Sequence, residues 1–490
     1  MTTRSFQRVG FHLDLRAQAM PIKALHQLMR EIASLGYNTL LIEWEGTYPY
    51  KKHPLISNKY SYTREEVKDF IRECTRLGID VIPLQQCLGH IEYILQHPRY
   101  AHLREDPRQR DLSQLCPCKA KEAVAVFSEI FADVAAMHPS PYVHIGGDET
   151  HLLGHCPTCS AKVKKYGKSK LYVDYFTHII ALLKKHGKRP ILWADMLLKN
   201  PEAVSTFPKG TIFMDWNYGW PPNLFGEHAN IKSYEMWGAP ALRCAPDNHS
   251  LSTWKTHFYN LRSYVPFAKK SGFGGLVLTS WSTSGEYGYE WELYGDVLEM
   301  LPIRRLYPLS GFRMLLVAYI EAVKSAKPLN AKFFVEQYAR ERFGLTARHA
   351  ALFYKSFCLN QALLLPYLPQ KEREVAFKDA GKSQRLLRSL TPTRNKKEFQ
   401  HFQLMADFRE MNTRLRRIEA AANAKNFTTR QVPGILKKLA MLIRESKKLD
   451  RRFLQLNKDY LYPQQLEEEV AYRNKKLLVL QQRLSRSGRS

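Results

Sequence analysis

From Val9 to about Arg305 the apolar positions fall into one repeated pattern. A short run rich in β-branched and aromatic residues is followed by a polar loop, then by a stretch whose apolar residues recur every three to four positions. Strands are predicted at Val9–Leu15, Tyr37–Trp44, Ile79–Leu84, Tyr142–Ile145, Ile191–Ala194, Thr211–Trp216, Ala241–Cys244 and Gly275–Ser280. Helices are predicted from Pro21, from Thr63 (where Glu66 completes a capping box and Gly78 closes the helix), over Ala120–Met137 and over Leu171–Lys185, which Gly187 stops. Eight β/α units in roughly 300 residues match the count and size of a (β/α)8 TIM barrel. A doubly wound open sheet is the alternative, but no glycine-rich phosphate loop follows the first strand.

After Pro308 the rhythm changes to long helical segments, among them Ala331–Arg342, Ala350–Leu365, Glu398–Ala422, Gly434–Leu456 and Gln464–Leu484. The expected organisation is an α/β barrel over residues 1–308 and an α-helical domain over 309–490, joined near Leu301–Pro308.

A barrel collects its chemistry where strands end. The most telling end is His144-Ile145-Gly146-Gly147-Asp148-Glu149. The glycine pair lets a ligand approach the backbone, and two adjacent carboxyls of unequal acidity can divide acid and anion work. Other strand ends carry Asp14, Glu43 and Trp44, His90 a little beyond the third strand, Trp193 and Asp195, Trp216 and Tyr218, and Trp281. Tryptophans interspersed with acids suit a sugar, whose C–H faces stack on rings while its hydroxyls bond carboxylates.

Composition narrows this only a little. The 490 residues are 44% hydrophobic, and no run reaches the roughly 18 apolar residues of a membrane span. No secretory signal precedes Val9, and eight cysteines are too few for a disulfide scaffold, so a reducing, cytoplasmic setting is expected. The net charge of +28 is uneven: residues 311–490 hold 37 Lys and Arg against 16 Asp and Glu. These charges are dispersed along helical patterns, which reads as solubility; attraction to anionic glycans, nucleic acid or lipid surfaces is the alternative, and no nucleic-acid motif accompanies them.

The strand-end motifs resemble those of family 20 glycoside hydrolases, the β-N-acetylhexosaminidases. Likeness to the hexosaminidase D branch runs in order through His12-Leu13-Asp14-Leu15, Leu41-Ile42-Glu43-Trp44-Glu45, Val81-Ile82-Pro83-Leu84, Gly89-His90-Ile91-Glu92, Ala101-His102-Leu103-Arg104-Glu105, Trp193-Ala194-Asp195-Met196 and Leu278-Thr279-Ser280-Trp281. The resemblance implies hydrolysis of β-linked N-acetylhexosamines, with a leaning to N-acetylgalactosamine, by substrate-assisted catalysis without a cofactor. It makes Glu149 the general acid and base, Asp148 the partner of the acetamido N–H, and Tyr218 the hydroxyl steadying the acetamido carbonyl. Asp14, Glu43, His90, His144, Trp193, Asp195, Trp216 and Trp281 would bind substrate, the three tryptophans as walls of the pocket. Two departures stand out. The arginine that grips ring hydroxyls in other members has Arg8 as its nearest counterpart, one residue out of register, and Thr283 stands where a glutamate is expected. Glu286 and Asp247 are possible substitutes.

Cys116-Pro117-Cys118 and Cys156-Pro157-Thr158-Cys159 lie in the loops after the third and fourth strands, which a barrel makes neighbours. Together they could hold a structural zinc; free thiols or one labile disulfide are the alternative. Cys74, Cys87, Cys244 and Cys358 read as isolated buried residues. Two other functions stay open: a glycan-binding protein on a barrel scaffold, and a retaining glycosidase with a protein nucleophile, for which Asp195 is the candidate.

Overall fold

The structure is a computed structural model and describes residues 6–106, 108, 111–198, 206–222, 233–244, 253–282, 287–291, 298–302, 306–359 and 369–487. Its first feature is a closed barrel of eight parallel strands in chain order: β1 (Arg8–Asp14), β2 (Thr39–Glu43), β3 (Asp80–Leu84), β4 (Tyr142–His144), β5 (Arg189–Trp193), β6 (Ile212–Asn217), β7 (Glu235–Arg243) and β8 (Gly275–Ser280). β1 and β8 close the ring, with Arg8 opposite Gly275 and Phe11 opposite Leu278. Between strands run α1 (Ile22–Leu35), α2 (Arg64–Arg76), the short α3 (Glu92–Leu95), α4 (Ala120–Met137), α5 (Pro157–Tyr166), α6 (Lys168–Lys185), the short α7 (Asp195–Leu198) and α8 (Trp254–Lys270). The α2 capping box forms: Thr63 N–H donates to Glu66 Oε2 at 2.8 Å, and Glu66 N–H donates to Thr63 Oγ1 at 3.2 Å.

The strands are buried on both faces, as a parallel sheet covered by helices requires. Leu41, Ile82, Ile191, Trp193, Ile212, Met214, Trp237 and Val277 form one core cluster, and Trp216 and Trp281 pack against it. Large rings are fitted by small partners. A Cβ on Gly275 would stand 2.7 Å from the Trp237 ring, so no larger residue fits there without displacement.

Two expectations need correction. The seventh strand begins at Glu235, well before the expected Ala241, and runs through Gly238 and Pro240, residue types that weaken a strand pattern. In the barrel both are used: a Cβ at Gly238 would meet Leu276 at 2.8 Å, and the Pro240 carbonyl accepts the Thr279 hydroxyl at 3.0 Å. Beyond β8 comes an unforeseen antiparallel pair, β9 (Tyr287–Trp291) and β10 (Leu298–Pro302). Leu301 and Pro302 belong to it.

The chain separates into two compact units. One comprises Met1–Leu242, Asn260–Ile303 and Tyr319–Pro328; the other comprises Arg243–Tyr259, Arg304–Ala318 and Leu329–Ser490. After α9 (Arg313–Lys324) the second unit runs through α10 (Ala331–Phe343), α11 (Ala347–Cys358), α12 (Gln370–Arg388), α13 (Lys396–Ala422), α14 (Val432–Asn457) and α15 (Pro463–Ser487). Its core is aromatic: the Phe353 ring lies 5.7 Å from Phe343 and 5.2 Å from Phe402, and Trp254 lies 5.4 Å from Phe402. Buried Asp407 on α13 ties three helices, accepting from Gln384 and Arg388 of α12 and from Arg452 of α14. Cys358, expected to be buried, is exposed. Among the described residues no helix is long and apolar enough to cross a membrane.

Candidate active site

The floor of the site is β4. His144 is wholly buried, its ring 4.4 Å from Trp193, and its Nδ1 accepts the Gly146 N–H at 3.1 Å. Burial depresses its pKa to about 3, so it is a neutral structural group under the pocket. Gly146 and Gly147 then turn the chain with φ of 69° and 98°. A side chain at Gly146 would collide with Gln86, and one at Gly147 would stand 2.6 Å from the Tyr172 hydroxyl. Only glycine fits both the conformation and the space.

The turn delivers Asp148 and Glu149. Asp148 is buried, and its Oδ1 has no hydrogen-bond partner among the described residues. Glu149 has a side chain 46% exposed and a left-handed φ of 45°, uncommon outside glycine. Its N–H donates to Asp195 Oδ2 at 3.3 Å, which helps hold that conformation. His90 (φ 53°) and Glu45 (φ 43°) are also left-handed, so three such non-glycine residues gather here.

His90 Nε2 stands 3.5 Å from Asp148 Oδ2 and 3.5 Å from Glu149 Oε2. Burial opposes its charge, but the two carboxylates and Glu92 raise its pKa well above the ordinary range. Burial likewise opposes ionisation of Asp148, yet the His90 charge and hydrogen bond hold its carboxyl low. For Glu149 the His90 hydrogen bond is the leading cause of a lowered pKa, partly offset by burial and by the Asp148 charge.

On the β1 side, Asp14 is fully engaged. Its Oδ1 accepts from the Arg16 backbone N–H at 2.8 Å and from Arg16 Nε at 3.1 Å; Oδ2 accepts from Arg16 Nη2 at 3.1 Å and from Ser282 N–H at 2.8 Å. Asp14 therefore holds Arg16 and the β8 end in place, with its oxygens already occupied. Arg16 also lies 3.6 Å from Glu43 and 3.8 Å from Glu45, and its guanidinium sits 5.2 Å over the Trp281 ring. Glu43 is wholly buried, with Oε1 accepting from Gln86 Nε2 at 3.4 Å. Glu45 and Glu92 are buried as well; burial pushes both carboxyls upward, toward their neutral acids.

The aromatic wall closes the ring. Tyr218 stacks on Trp216 at 5.2 Å and 29°, and its hydroxyl accepts the Trp281 Nε1–H at 2.8 Å. Trp193 is fully buried 5.8 Å from Trp281, so it forms the base of the pocket and not the exposed wall expected of it. Its indole nitrogen and that of Trp216 are buried without a partner among the described residues.

The structure thus brings Asp14, Glu43, His90, His144, Asp148, Glu149, Trp193, Asp195, Trp216, Tyr218 and Trp281 to one end of the barrel. Trp44 is on the other face of its strand, bonded to His138 at 3.1 Å. Arg8 lies at the opposite end of β1, paired with Asp80 at 3.1 Å, and Arg16 is the cation of the site. Asp14-Leu15-Arg16 continues the period-two alternation past the strand end, a signal that the strand boundary hid. Gln86, Glu45 and Glu92 were also missed. Thr283, Glu286 and Asp247 lie outside the described residues. Of the paired cysteines, Cys116, Cys156 and Cys159 come together with Glu105, while Cys118 lies beside Cys159 without joining that group.

The model of the family "Glycosyl hydrolase family 20, catalytic domain" matches residues 19–231. Hexosaminidase D of Bos taurus is 28% identical over 314 residues, covering 60% of this chain and 87% of its own length. Hexosaminidase D of Homo sapiens is 28% identical over 313 residues, covering 59% of this chain and 63% of its own. The crystal structure of β-N-acetylhexosaminidase from Bacteroides fragilis superposes with a TM-score of 0.53 at 19% identity, over 69% of this chain and 70% of that one; it shows a shared fold. Residues 19–231 therefore resemble a family 20 glycoside hydrolase catalytic domain, and the relatives that the chain resembles over about 60% of its length are hexosaminidases.

Proposed function

We propose that this chain releases β-linked N-acetylhexosamine from glycans, with retention and with the substrate's own acetamido group as nucleophile. The observation that carries the reading is Asp148: a buried carboxylate with one unpartnered oxygen, held anionic beside His90, one residue before the half-exposed Glu149. A buried acceptor without a donor costs free energy that a ligand N–H recovers.

In this scheme Asp148 Oδ1 accepts the acetamido N–H and orients the carbonyl oxygen toward the anomeric carbon. The Tyr218 hydroxyl, which accepts from Trp281, donates to that oxygen in this scheme. Glu149 gives its proton to the glycosidic oxygen as the bond to the anomeric carbon breaks, and the aglycone leaves as an alcohol. An oxazolinium ion results, its charge balanced by Asp148. Glu149, now a carboxylate, takes a proton from water as that water attacks the anomeric carbon, and the acetamide is restored. Arg16, Glu43, Glu45 and Glu92 are placed for ring hydroxyls. We extend the proposal to a preference for N-acetylgalactosamine, which rests on the likeness to hexosaminidase D.

The competing scheme needs a protein nucleophile, for which Asp195 is the candidate; its Oδ2 is committed to the Glu149 N–H. The test is Asp148→Asn on aryl β-N-acetylgalactosaminide, aryl β-N-acetylglucosaminide and aryl β-galactoside. Substrate assistance predicts a loss chiefly in kcat, because the charge Asp148 balances develops only toward the transition state. Turnover of the plain galactoside alone, or a fluorosugar ester trapped on Asp195, would overturn the mechanism.

A further inference from the structure

The loop after β3 and the loop after β4 meet at a buried cluster that the reaction does not use. Cys116 Sγ lies 3.6 Å from Cys156 Sγ and 3.5 Å from Cys159 Sγ, and Cys156 Sγ accepts the Cys159 N–H at 3.3 Å. Into the same space comes the carboxylate of Glu105, with no exposed surface. One of its oxygens accepts the Cys156 N–H at 3.0 Å; the other, Oε2, is buried without a hydrogen-bond partner among the described residues. The four donor atoms all lie within 4.8 Å of one another.

A carboxylate placed against three thiols, away from solvent, is costly unless a cation joins them. The donor set indicates which. Three sulfurs favour a soft or borderline ion, and a tetrahedral zinc with Zn–S bonds of about 2.3 Å sets sulfurs ~3.8 Å apart. The spacing seen here is close to that edge. A disulfide would use two of the three thiols and leave Glu105 without a counter-charge.

We propose that Cys116, Cys156, Cys159 and Glu105 bind one zinc ion in a closed tetrahedral site. The fourth ligand is thus Glu105 and not Cys118, the residue that spacing in the sequence suggested. On binding, the three thiols lose their protons to solvent and the carboxylate ligates through its free oxygen. With no position left open, the ion has a structural task. It clips the loop containing Glu105 and Cys116 to the segment that follows Glu149, where Gln114 Oε1 already accepts the Leu152 N–H at 2.9 Å.

The test uses the full chain purified without chelator and reads metal and thiols, not turnover, so it stands or falls apart from the proposed activity. Elemental analysis should give one zinc per chain. Cobalt exchanged into the site should show thiolate-to-cobalt charge-transfer absorption, and the bound metal should protect Cys116, Cys156 and Cys159 from alkylation. Cys118→Ser should keep the full metal content, whereas Glu105→Gln should weaken zinc binding by at least ~10-fold, the scale that even outer partners of a metal site produce. Metal-free protein with these thiols reactive, a disulfide among them, or loss of zinc in Cys118→Ser with retention in Glu105→Gln would each overturn the assignment.

Discussion

The Trp281 indole N–H donates to the Tyr218 hydroxyl at 2.8 Å. One residue follows β8 and the other follows β6, so this hydrogen bond ties the two strand ends together at the phenol. Tyr218→Phe should lower kcat by about 10²–10³-fold, the usual loss for one donor aimed at a developing oxyanion, with KM changed much less. Trp281→Phe keeps Tyr218 but removes this hydrogen bond, and a smaller loss is expected. Steady-state kinetics on one aryl substrate decides; an unchanged kcat in Tyr218→Phe would remove the residue from the mechanism.

Glu149→Gln removes the proposed proton donor at little cost in volume. Turnover of natural linkages should fall by about 10²–10⁴-fold. Aryl leaving groups that need little protonation should suffer less in the first step. Equal, small losses on both substrate types would refute the role.

The ligand-free site sets a puzzle for an acid catalyst, since His90 lowers the Glu149 pKa. Removing that cation must raise it. His90→Asn should therefore move the alkaline limb of the kcat/KM profile to higher pH, because protonated Glu149 then survives further up the scale. A limb that moved down would mean that His90, not Glu149, supplies the titration seen there.

Gly147→Ala tests the turn by stability. The residue combines φ of 98° with a neighbouring hydroxyl 2.6 Å from the added Cβ. Strain of this kind costs of order 1–3 kcal/mol. A midpoint unchanged in urea unfolding would show that the turn relaxes freely.

How much of this was legible depended on distance along the chain. Asp148 and Glu149 are adjacent and framed by two glycines, so local spacing exposed them. The barrel was legible because its rhythm recurs eight times, and one badly placed strand, β7, did not hide it. Arg16 was not legible, since its importance comes from Asp14, Glu43 and Trp281, which only closure of β1 on β8 and β2 assembles. The same holds for Glu105, which no cysteine spacing announces. Trp193 was read as a wall because sequence gives residue type but not depth; the packing of β5 makes it part of the floor.

The pocket also has an electrical character opposite to that of the chain. Arg16 is shared among Asp14, Glu43 and Glu45, and His90 between Asp148 and Glu149; with Glu92 these carboxyls outnumber Arg16, His90 and His12. A sulfate or uronate brought about 5 Å from an ionised carboxylate of the pocket, such as Asp148, would cost ~3 kcal/mol at an effective dielectric of 20. The site should act as a filter for neutral sugars, turning over 6-sulfated N-acetylhexosaminides on the order of 100-fold more slowly than unsulfated ones, as competition between the two substrates would measure. The +28 of the whole molecule can draw an anionic glycan in from solution. On the proposed activity, the sugar that is released should carry none of that charge itself.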